Sequence, residues 1–268
     1  MKITAVDLRG LIWTRATGSV CTDGAFLKAI SDDSSLYYKM SAYNSAQGVY
    51  GHEAINELIA YRVAKELGIP VPETSLVKAF VCVDNTEFET YVAVSESYKS
   101  ALDSRMPFED FYKSVRREGE TSLSVALRYG WEQQVNLMFF YDFLIFNRDR
   151  HGANLEVLET DGEKRLSPFF DNGLSFACSC NNDSELEAFD VMADKQVNNF
   201  IGTRSLYSNL QSITAPVRVN ELREDFKNDL FNGLSGLLTE KHLEVIWRTI
   251  WERWVYAKKI CDLQPCDC

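Results

Sequence analysis

The sequence predicts an α+β fold of two lobes: a small antiparallel β-sheet lobe with one long helix, followed by a mostly helical lobe. Up to about residue 97 the apolar residues mostly alternate as in half-buried strands, whereas from about residue 107 they recur at the helical period. Hydrophobic residues make up 46% of the 268 residues, enough to bury a sizeable core. We therefore expect an N-terminal lobe at residues 1–97 and a helical lobe at residues 98–268.

The strands of the first lobe are expected from short runs of β-branched and aromatic residues bounded by polar turns. The polar segment 31–35 joins two of these runs, and the turn at residues 84–85 joins two others. The predicted strands are residues 4–8, 11–14, 26–30, 36–40, 75–83 and 88–94.

One long helix is expected inside the first lobe, at residues 52–67. Its apolar residues recur at the helical period, and Gly68 ends it. Glu57 shares a helix face with Ala60 and Ala64, whose small side chains allow another element to approach closely. We therefore expect this face to be buried, with Glu57 in the interior of the lobe. The alternative is that Glu57 is exposed to solvent.

The helices of the second lobe follow the same periodicity. Gly130 can interrupt the longest of them, and the polar segment 181–213 is too weakly patterned to assign. The predicted helices are residues 108–117, 123–146, 219–230 and 240–261.

Charge and hydropathy exclude several classes of protein. A net charge of -11 argues against sequence-independent binding of nucleic acid, because such binding depends on Lys and Arg side chains that neutralise the phosphates. Asp7 and Arg9 interrupt the apolar start, so no signal-peptide core is present. The longest apolar run, residues 135–146, is shorter than the ~20 residues that span a bilayer. We expect a cytoplasmic protein without direct nucleic-acid or membrane binding, and the oligomeric state stays open.

Two carboxylates and one amide in the middle of the chain point to phosphoryl transfer. This reaction needs a carboxylate that receives the acceptor proton, and oxygen ligands for the Mg²⁺ that bridges the nucleotide phosphates. Asp149 can serve as the base, and Asn154 with Asp171 as the metal ligands. Their order along the chain is that of kinases, so the sequence predicts a phosphotransferase that uses ATP and Mg²⁺.

The residues that bind the nucleotide are expected nearer the N-terminus than Asp149. Lys39, on a predicted strand that precedes the helix bearing Glu57, suits a lysine that contacts phosphates and pairs with that glutamate. Lys28, one strand earlier, is the rival, and either lysine can instead be a solvated strand residue.

A glycine-rich segment from Gly18 to Gly24 lies between two predicted strands. It matches neither the Walker loop nor the dinucleotide fingerprint. It suits a hairpin whose amides face phosphates, which makes Gly18, Ser19 and Gly24 candidate nucleotide contacts; an ordinary turn is the alternative.

Two titratable residues flank the predicted base. His151 can donate a hydrogen bond to the transferring phosphate or to Asp171, and is otherwise a structural histidine. Asp142 lies among aromatic residues, where a carboxylate is costly to bury unless it is hydrogen-bonded. We expect Asp142 to anchor the following loop through backbone amides or Arg150.

These motifs resemble those of the HipA-like kinases. The segment from Asp142 to Asn154 and the segment Phe170-Asp-Asn-Gly-Leu-Ser175 carry the likeness, and Asp-Arg-His-x-x-Asn is similar to the catalytic loop of phosphatidylinositol kinases. The likeness extends to Tyr38-Lys39 and to the start of the long helix, and so covers most of the chain up to about residue 177.

The resemblance implies a bilobal protein-kinase-like fold. It implies Asp149 as catalytic base, Asn154 and Asp171 as Mg²⁺ ligands, Lys39 on the nucleotide phosphates and Glu57 as the lysine's partner. It also implies a protein substrate, and autophosphorylation at Ser19 or Thr22. The chain is short for a HipA toxin, so toxin activity and an antitoxin partner are left open.

Three functions follow in order of preference. The first is an ATP- and Mg²⁺-dependent HipA-like protein Ser/Thr kinase. The second is a lipid or small-molecule kinase, disfavoured because no polybasic segment is present. The third is a nucleotide-binding pseudokinase or scaffold, disfavoured because every charged position of the site is retained.

Overall fold

The computed structural model of the chain describes residues 5–15, 26–100 and 102–266. Gly18, Ser19, Thr22 and Gly24 lie outside the described residues. The first part of the chain is rich in strands around one long helix, and the second part contains most of the helices. The boundary at residue 97 stays a prediction.

The first lobe is built on a six-stranded sheet. Its elements are β1 (Ala5–Asp7), β2 (Thr14–Arg15), β3 (Leu27–Ile30), β4 (Leu36–Met40), β5 (Tyr43–Asn44), β6 (Gly48–Val49), α1 (Glu53–Leu67), β7 (Thr74–Val83) and β8 (Thr86–Glu96). The sheet has the order β1-β7-β8-β4-β3-β2, and β5 and β6 form a separate hairpin. Its neighbouring strands are antiparallel except for β1, which pairs with β7 in parallel. The predicted antiparallel sheet is thus confirmed apart from this edge.

The strand predicted at residues 11–14 is wrong over most of its length. Regular pairing begins only at Thr14, which lies opposite Lys28 of β3. Ile12 is 84% exposed, so its apolar side chain finds no partner surface that would fix a strand there. The other strands of the first lobe lie where they are predicted, to within two residues at each end.

Alternation along β4 directs its side chains to opposite faces of the sheet. Tyr38 and Met40 are buried in an apolar cluster on one face. Lys39 therefore points to the other face, toward α1 and the helical lobe.

Helix α1 lies between the sheet and the helical lobe, and side chains around most of its circumference are buried. It ends at Gly68, whose φ of 73° lets its N–H and that of Ile69 bond to carbonyls of the last turn. The hydroxyl of Tyr141 donates to the backbone oxygen of Ala60 at 2.9 Å. This confirms that small residues on α1 admit a close neighbour.

The second lobe packs around a central buried helix, α4. Its elements are β9 (Ser104–Pro107), α2 (Phe108–Val115), α3 (Ser122–Arg128), α4 (Glu132–Leu144), β10 (Asp149–Arg150), a 3₁₀ turn (Gly152–Asn154), β11 (Glu156–Thr160), β12 (Glu163–Leu166), α5 (Asp183–Glu187), β13 (Asn198–Asn199), α6 (Leu206–Gln211), β14 (Val217–Arg218), α7 (Phe226–Leu230), α8 (Glu240–Ile260) and β15 (Leu263–Gln264). The strands form a sheet of order β12-β11-β9 and two parallel pairs, β10 with β13 and β14 with β15. Within the described ranges, no helix is both long and apolar enough to cross a bilayer.

The helix predicted at residues 123–146 is interrupted at Gly130, as the sequence allowed: it forms two helices, α3 and α4, and Gly130 between them has a φ of 78°. The helix predicted at 219–230 is reduced to α7, because its first residues bond to distant segments instead: the N–H of Val219 donates to the oxygen of Gln264, and that of Asn220 to the oxygen of Leu67. The unassigned segment 181–213 contains two short helices and β13.

Thr239 caps the N-terminus of α8, where its side-chain oxygen accepts the backbone N–H of His242 at 3.2 Å. We expect Thr239→Ala to lower the free energy of unfolding by about 1 kcal/mol, because this N–H loses its partner. Urea denaturation of the variant measures the change. Thr239→Ser, which keeps the oxygen, is the control, and equal losses in both variants would contradict the capping role.

Candidate active site

A cavity of about 310 Å³ lies between the sheet and the helical lobe. It contains every site residue predicted from the sequence that the structure describes. These are Lys28, Lys39, Glu57, Asp149, His151, Asn154 and Asp171. Arg15 and Phe26, on either side of the glycine-rich segment, also line it.

Lys39 and Glu57 form an ion pair on the side of the cavity that the sheet lobe provides. Lys39 Nζ lies 2.6 Å from Glu57 Oε1 and 3.2 Å from Asp171 Oδ1. Burial by itself lowers the pKa of Lys39, but the carboxylates of Asp171 and Glu57 outweigh this effect and raise it. Glu57 is 5% exposed, so the alternative of an exposed Glu57 is wrong.

Both candidate lysines reach the cavity. Lys28 lies directly opposite Lys39 across the pairing of β3 with β4, and its Nζ lies 2.5 Å from Asp171 Oδ2. The two ammonium groups thus contact different oxygens of one carboxylate. Position in the sequence left these lysines as rivals, and the register of the sheet brings them together.

Asp171 occupies a backbone conformation that few side chains adopt. Its φ is 61°, which Asp tolerates better than most residues. Burial by itself raises the pKa of its carboxyl, but Lys28 and Lys39 outweigh burial and hold that pKa well below its ordinary value. The Asp171 carboxylate is therefore ionised, and it lines the cavity.

The turn after Asp171 approaches α1 closely. A Cβ atom on Gly173 would lie 3.1 Å from the backbone oxygen of Glu53, a contact that glycine avoids. The backbone N–H of Asn172 donates to Glu57 Oε2 at 3.1 Å. The Asp171 turn is thus tied to the helix that carries the lysine's partner.

The catalytic-loop candidates lie on β10 and the 3₁₀ turn that follows it. The side chain of Asn154 donates through Nδ2 to the backbone oxygen of Asp149 at 2.9 Å, and Asn147 Oδ1 accepts the N–H of Asp149 at 3.1 Å. These bonds curl the loop so that Asp149 and Asn154 face the same cavity.

Asp149 is almost fully enclosed, at 4% exposure. Burial raises the pKa of its carboxyl, and His151 with the amide of Asn198 offsets only part of this rise. Nearby Asp171 raises it further. This carboxyl is therefore a stronger proton acceptor than an ordinary aspartate.

His151 lies beside Asp149, with Nε2 at 3.9 Å from Asp149 Oδ2. Its Nδ1 accepts the backbone N–H of Ala153 at 3.2 Å, which assigns the proton of the neutral ring to Nε2. The N–H of this ring is accordingly on the side of the Asp149 carboxylate.

Arg150 is buried beneath the cavity, where it connects the loops of the site by hydrogen bonds. It is 1% exposed and pairs with Asp142, whose Oδ1 lies 2.7 Å from Nη2. It also donates to the backbone oxygen of Phe170 at 2.6 Å and to Asn172 Oδ1 at 2.7 Å. The expected anchoring of the loop by Asp142 is confirmed, through Arg150 and Asn147.

Sequence reasoning missed two polar residues of the site, Asn172 and Asn198. Asn172 bridges Glu57 and Arg150, and a polar residue directly after Asp171 in an otherwise apolar segment was the available signal. Asn198 donates through Nδ2 to Asp149 Oδ1 at 3.1 Å. It lies in the segment that carried no assignment, and nothing in the local pattern marks it.

A smaller cavity of about 120 Å³ adjoins the first near the end of β8. The two cavities share Lys28, Lys39, Glu57, Phe170 and Asp171. Here Tyr98 stacks on Phe170 at a centroid distance of 5.6 Å, and its hydroxyl donates to Glu156 at 2.6 Å. The cleft therefore continues from charged side chains to an aromatic and more apolar end.

The donor set fits a magnesium ion shared with phosphates better than a metal held by protein alone. Asp171 and Asn154 offer one carboxylate and one amide oxygen in the same cavity. Across the part of the chain that the structure describes, no three His, Cys, Asp or Glu side chains lie together in a metal-binding group. Mg²⁺ typically takes one or two carboxylates together with substrate phosphates and water.

Two solved structures match this chain. The chain is similar in structure to the Helicobacter pylori proinflammatory kinase CtkA, with 14% sequence identity, a TM-score of 0.59, and 96% of this chain and 99% of that chain covered. It also matches HipA from the HipA, HipB and operator DNA complex of Shewanella oneidensis MR-1, with 18% identity, a TM-score of 0.37, and 95% of this chain and 60% of that chain covered. No curated protein matches the sequence.

The likeness to CtkA shows that the chain has the bilobal fold of that kinase, as the sequence predicts. The family of HipA-like C-terminal domains matches residues 23–230, which is more than half of the sequence. The chain therefore belongs to the family of HipA-like C-terminal domains.

Proposed function

We propose that this protein is an ATP- and Mg²⁺-dependent kinase of the HipA type that phosphorylates Ser or Thr hydroxyls of proteins, its own included. The observation that carries the proposal is the convergence of two parts of the chain on one cavity. The Lys39–Glu57 pair comes from the sheet lobe, and Asp149, Asn154 and Asp171 come from the helical lobe. Phosphoryl transfer depends mainly on positioning and on neutralising charge, and this set of residues supplies both.

The nucleotide would extend along the cleft. Its base would occupy the smaller cavity beside Tyr98 and Phe170, and its phosphates would lie near the ammonium groups of Lys28 and Lys39. The segment from Gly18 to Gly24 follows Arg15 and precedes Phe26, which line the cavity, so Ser19 and the two glycines are proposed as further phosphate contacts.

In the proposed reaction Asp149 orients the acceptor hydroxyl and accepts its proton through Oδ2. The hydroxyl oxygen forms the new bond to the γ-phosphorus as the bond to the β–γ bridging oxygen breaks. In this proposal Lys39 and Lys28 stabilise the charge on the phosphate oxygens, and the His151 Nε2–H donates a hydrogen bond to the transferred group. The position of Nε2 beside Asp149 supports this role. Mg²⁺, held by Asn154 and Asp171, would supply further charge neutralisation when it is bound.

The test is transfer of ³²P from γ-labelled ATP by the full chain, with and without Mg²⁺. Protein, peptide and phosphoinositide-vesicle acceptors are compared in parallel. We expect Mg²⁺-dependent labelling of protein, with phosphopeptide mapping placing the self-label at Ser19 or Thr22. Labelling of lipid alone would replace the protein acceptor with a lipid one. ATP binding without transfer to any acceptor would make the protein a pseudokinase.

We expect Lys28→Met to weaken Mg·ATP binding roughly 10-fold, because one charge-assisted phosphate contact is lost. Lys28 is 39% exposed at its side chain, so the fold tolerates the change. Isothermal titration with a non-hydrolysable ATP analogue measures the affinity. Lys78→Met is the matched control, since Lys78 has 40% side-chain exposure and pairs with Glu89 on the same sheet. If the two variants bound the ATP analogue with equal affinity, Lys28 would not be a phosphate contact.

A further inference from the structure

Asn198 contacts the proposed base from a part of the chain far away in sequence. β13 pairs in parallel with β10, and the register places Asn198 opposite Asp149. Its side-chain Nδ2 donates to Asp149 Oδ1 at 3.1 Å. Among the described residues, no other side chain donates a hydrogen bond of this length to that carboxylate.

The backbone on both sides of Asn198 is held in place. The N–H of Asn198 donates to the oxygen of Arg148 at 2.8 Å, and the N–H of Phe200 donates to the oxygen of Arg150 at 3.0 Å. The strand is therefore anchored to the same loop that carries Asp149. A donor on such an anchored strand occupies a fixed position relative to the carboxylate.

A carboxylate needs such a donor to keep one orientation, because rotation about its Cβ–Cγ bond is soft. With Oδ1 held by Asn198, the other oxygen is the one on the side of His151 Nε2, at 3.9 Å. Oδ2 is accordingly the oxygen left for an incoming hydroxyl.

We propose that Asn198 is a positioning residue for phosphoryl transfer, holding Oδ1 of Asp149 so that Oδ2 faces the acceptor hydroxyl. This inference rests on the proposed function and adds a residue to it. A hydroxyl must meet the base within hydrogen-bonding distance and in the right direction, so a freely rotating carboxylate lowers the rate of transfer without weakening nucleotide binding.

Three substitutions at this position separate the contributions of shape and hydrogen bonding. Asn198→Leu keeps the branching of the side chain at Cγ and removes the donor. Asn198→Asp keeps the shape and replaces the donor with an acceptor. Asn198→His restores an N–H at Nδ1, which is separated from Cα by the same number of bonds as the original Nδ2.

We expect Asn198→Leu and Asn198→Asp to lower kcat roughly 10- to 100-fold while KM for ATP stays within about twofold, and Asn198→His to recover part of the loss. Combined with Asp149→Asn, Asn198→Leu should cause no further loss, because residues that act as a unit are not additive. A kcat within twofold of wild type in Asn198→Leu, or a full further loss in the double variant, overturns the proposal.

Asn199→Leu is the control on the neighbouring residue. Asn199 Oδ1 accepts the N–H groups of Ile201 and Gly202, so its role is confined to the local turn. We expect its effect on kcat to be smaller and to add to that of Asp149→Asn. If Asn199→Leu also caused no further loss of kcat when combined with Asp149→Asn, the assignment of Asn198 as the positioning residue would be overturned.

Crystal structures of the wild type and of Asn198→Leu separate this inference from the proposed function. If the wild type transfers no phosphate, the proposed function fails, but the orientation of the carboxylate can still be measured. We expect the Asp149 carboxylate to rotate in the variant. An unchanged orientation in the variant contradicts the positioning role, whether or not the wild type is active.

Discussion

Replacement of Asp149 by Asn is expected to lower the rate of phosphoryl transfer roughly 10²- to 10⁴-fold, the usual contribution of a positioned general base. The amide keeps the shape of the carboxylate but cannot accept the hydroxyl proton. Asp149 is buried and its pKa is raised by burial, so removing its charge should not destabilise the fold. Single-turnover transfer from γ-³²P-ATP measures the rate, and thermal unfolding with and without Mg·ATP checks folding and binding.

The matched control is Asp161→Asn. Asp161 lies in the exposed turn between β11 and β12 and has a φ of 52°, which Asn also tolerates. This variant should transfer phosphate at the wild-type rate. If Asp149→Asn also kept the wild-type rate, another group would have to serve as the base, and the assignment of Asp149 would fail.

The second large effect is expected in stability, from Arg150→Met. This change leaves the Asp142 carboxylate buried without its cation, which typically costs about 3–5 kcal/mol. The Phe170 carbonyl and the Asn172 side chain lose their donor as well. Domains of this kind are stable by only about 5–15 kcal/mol, so the variant should unfold at a much lower urea concentration.

Arg248→Met controls for loss of an arginine as such. Arg248 pairs with Glu252 on the exposed side of α8, and exposed pairs contribute less than about 1 kcal/mol. Adding Asp142→Asn to Arg150→Met should restore part of the stability, because the unpaired charge is gone. A loss in Arg150→Met as small as that in Arg248→Met would show that the buried pair is not what holds the loops together.

Local pattern was sufficient wherever an element buries a face of its own. The strand at residues 36–40 follows alternation, and α1 follows the helical period and ends at a glycine, so both were predicted within one residue. The spacing of Asp149, Asn154 and Asp171 also predicted that they belong to one site, and the structure places all three around one cavity. Their catalytic and metal-binding roles stay predictions.

Local pattern failed wherever a distant partner decides the structure. Residues 217–218 become a strand only because residues 263–264 lie beside them. Residues 11–13 carry strand-forming side chains, but no neighbouring strand that the structure describes pairs with them, and Ile12 stays exposed. Asn198 reaches Asp149 only because β13 pairs with β10, forty-nine residues away in the chain.

The sequence by itself determined the two-lobed α+β class, the chemical types of the site residues, and the face of the sheet on which Lys39 lies, because periodicity and spacing are properties of neighbouring residues. Only the tertiary structure decided that Lys28 joins Lys39 on Asp171, that Arg150 and Asn172 connect the loops, and that Asn198 contacts the base. Each of these contacts depends on strand register or on packing between segments far apart in the chain, and no local pattern encodes such a distance.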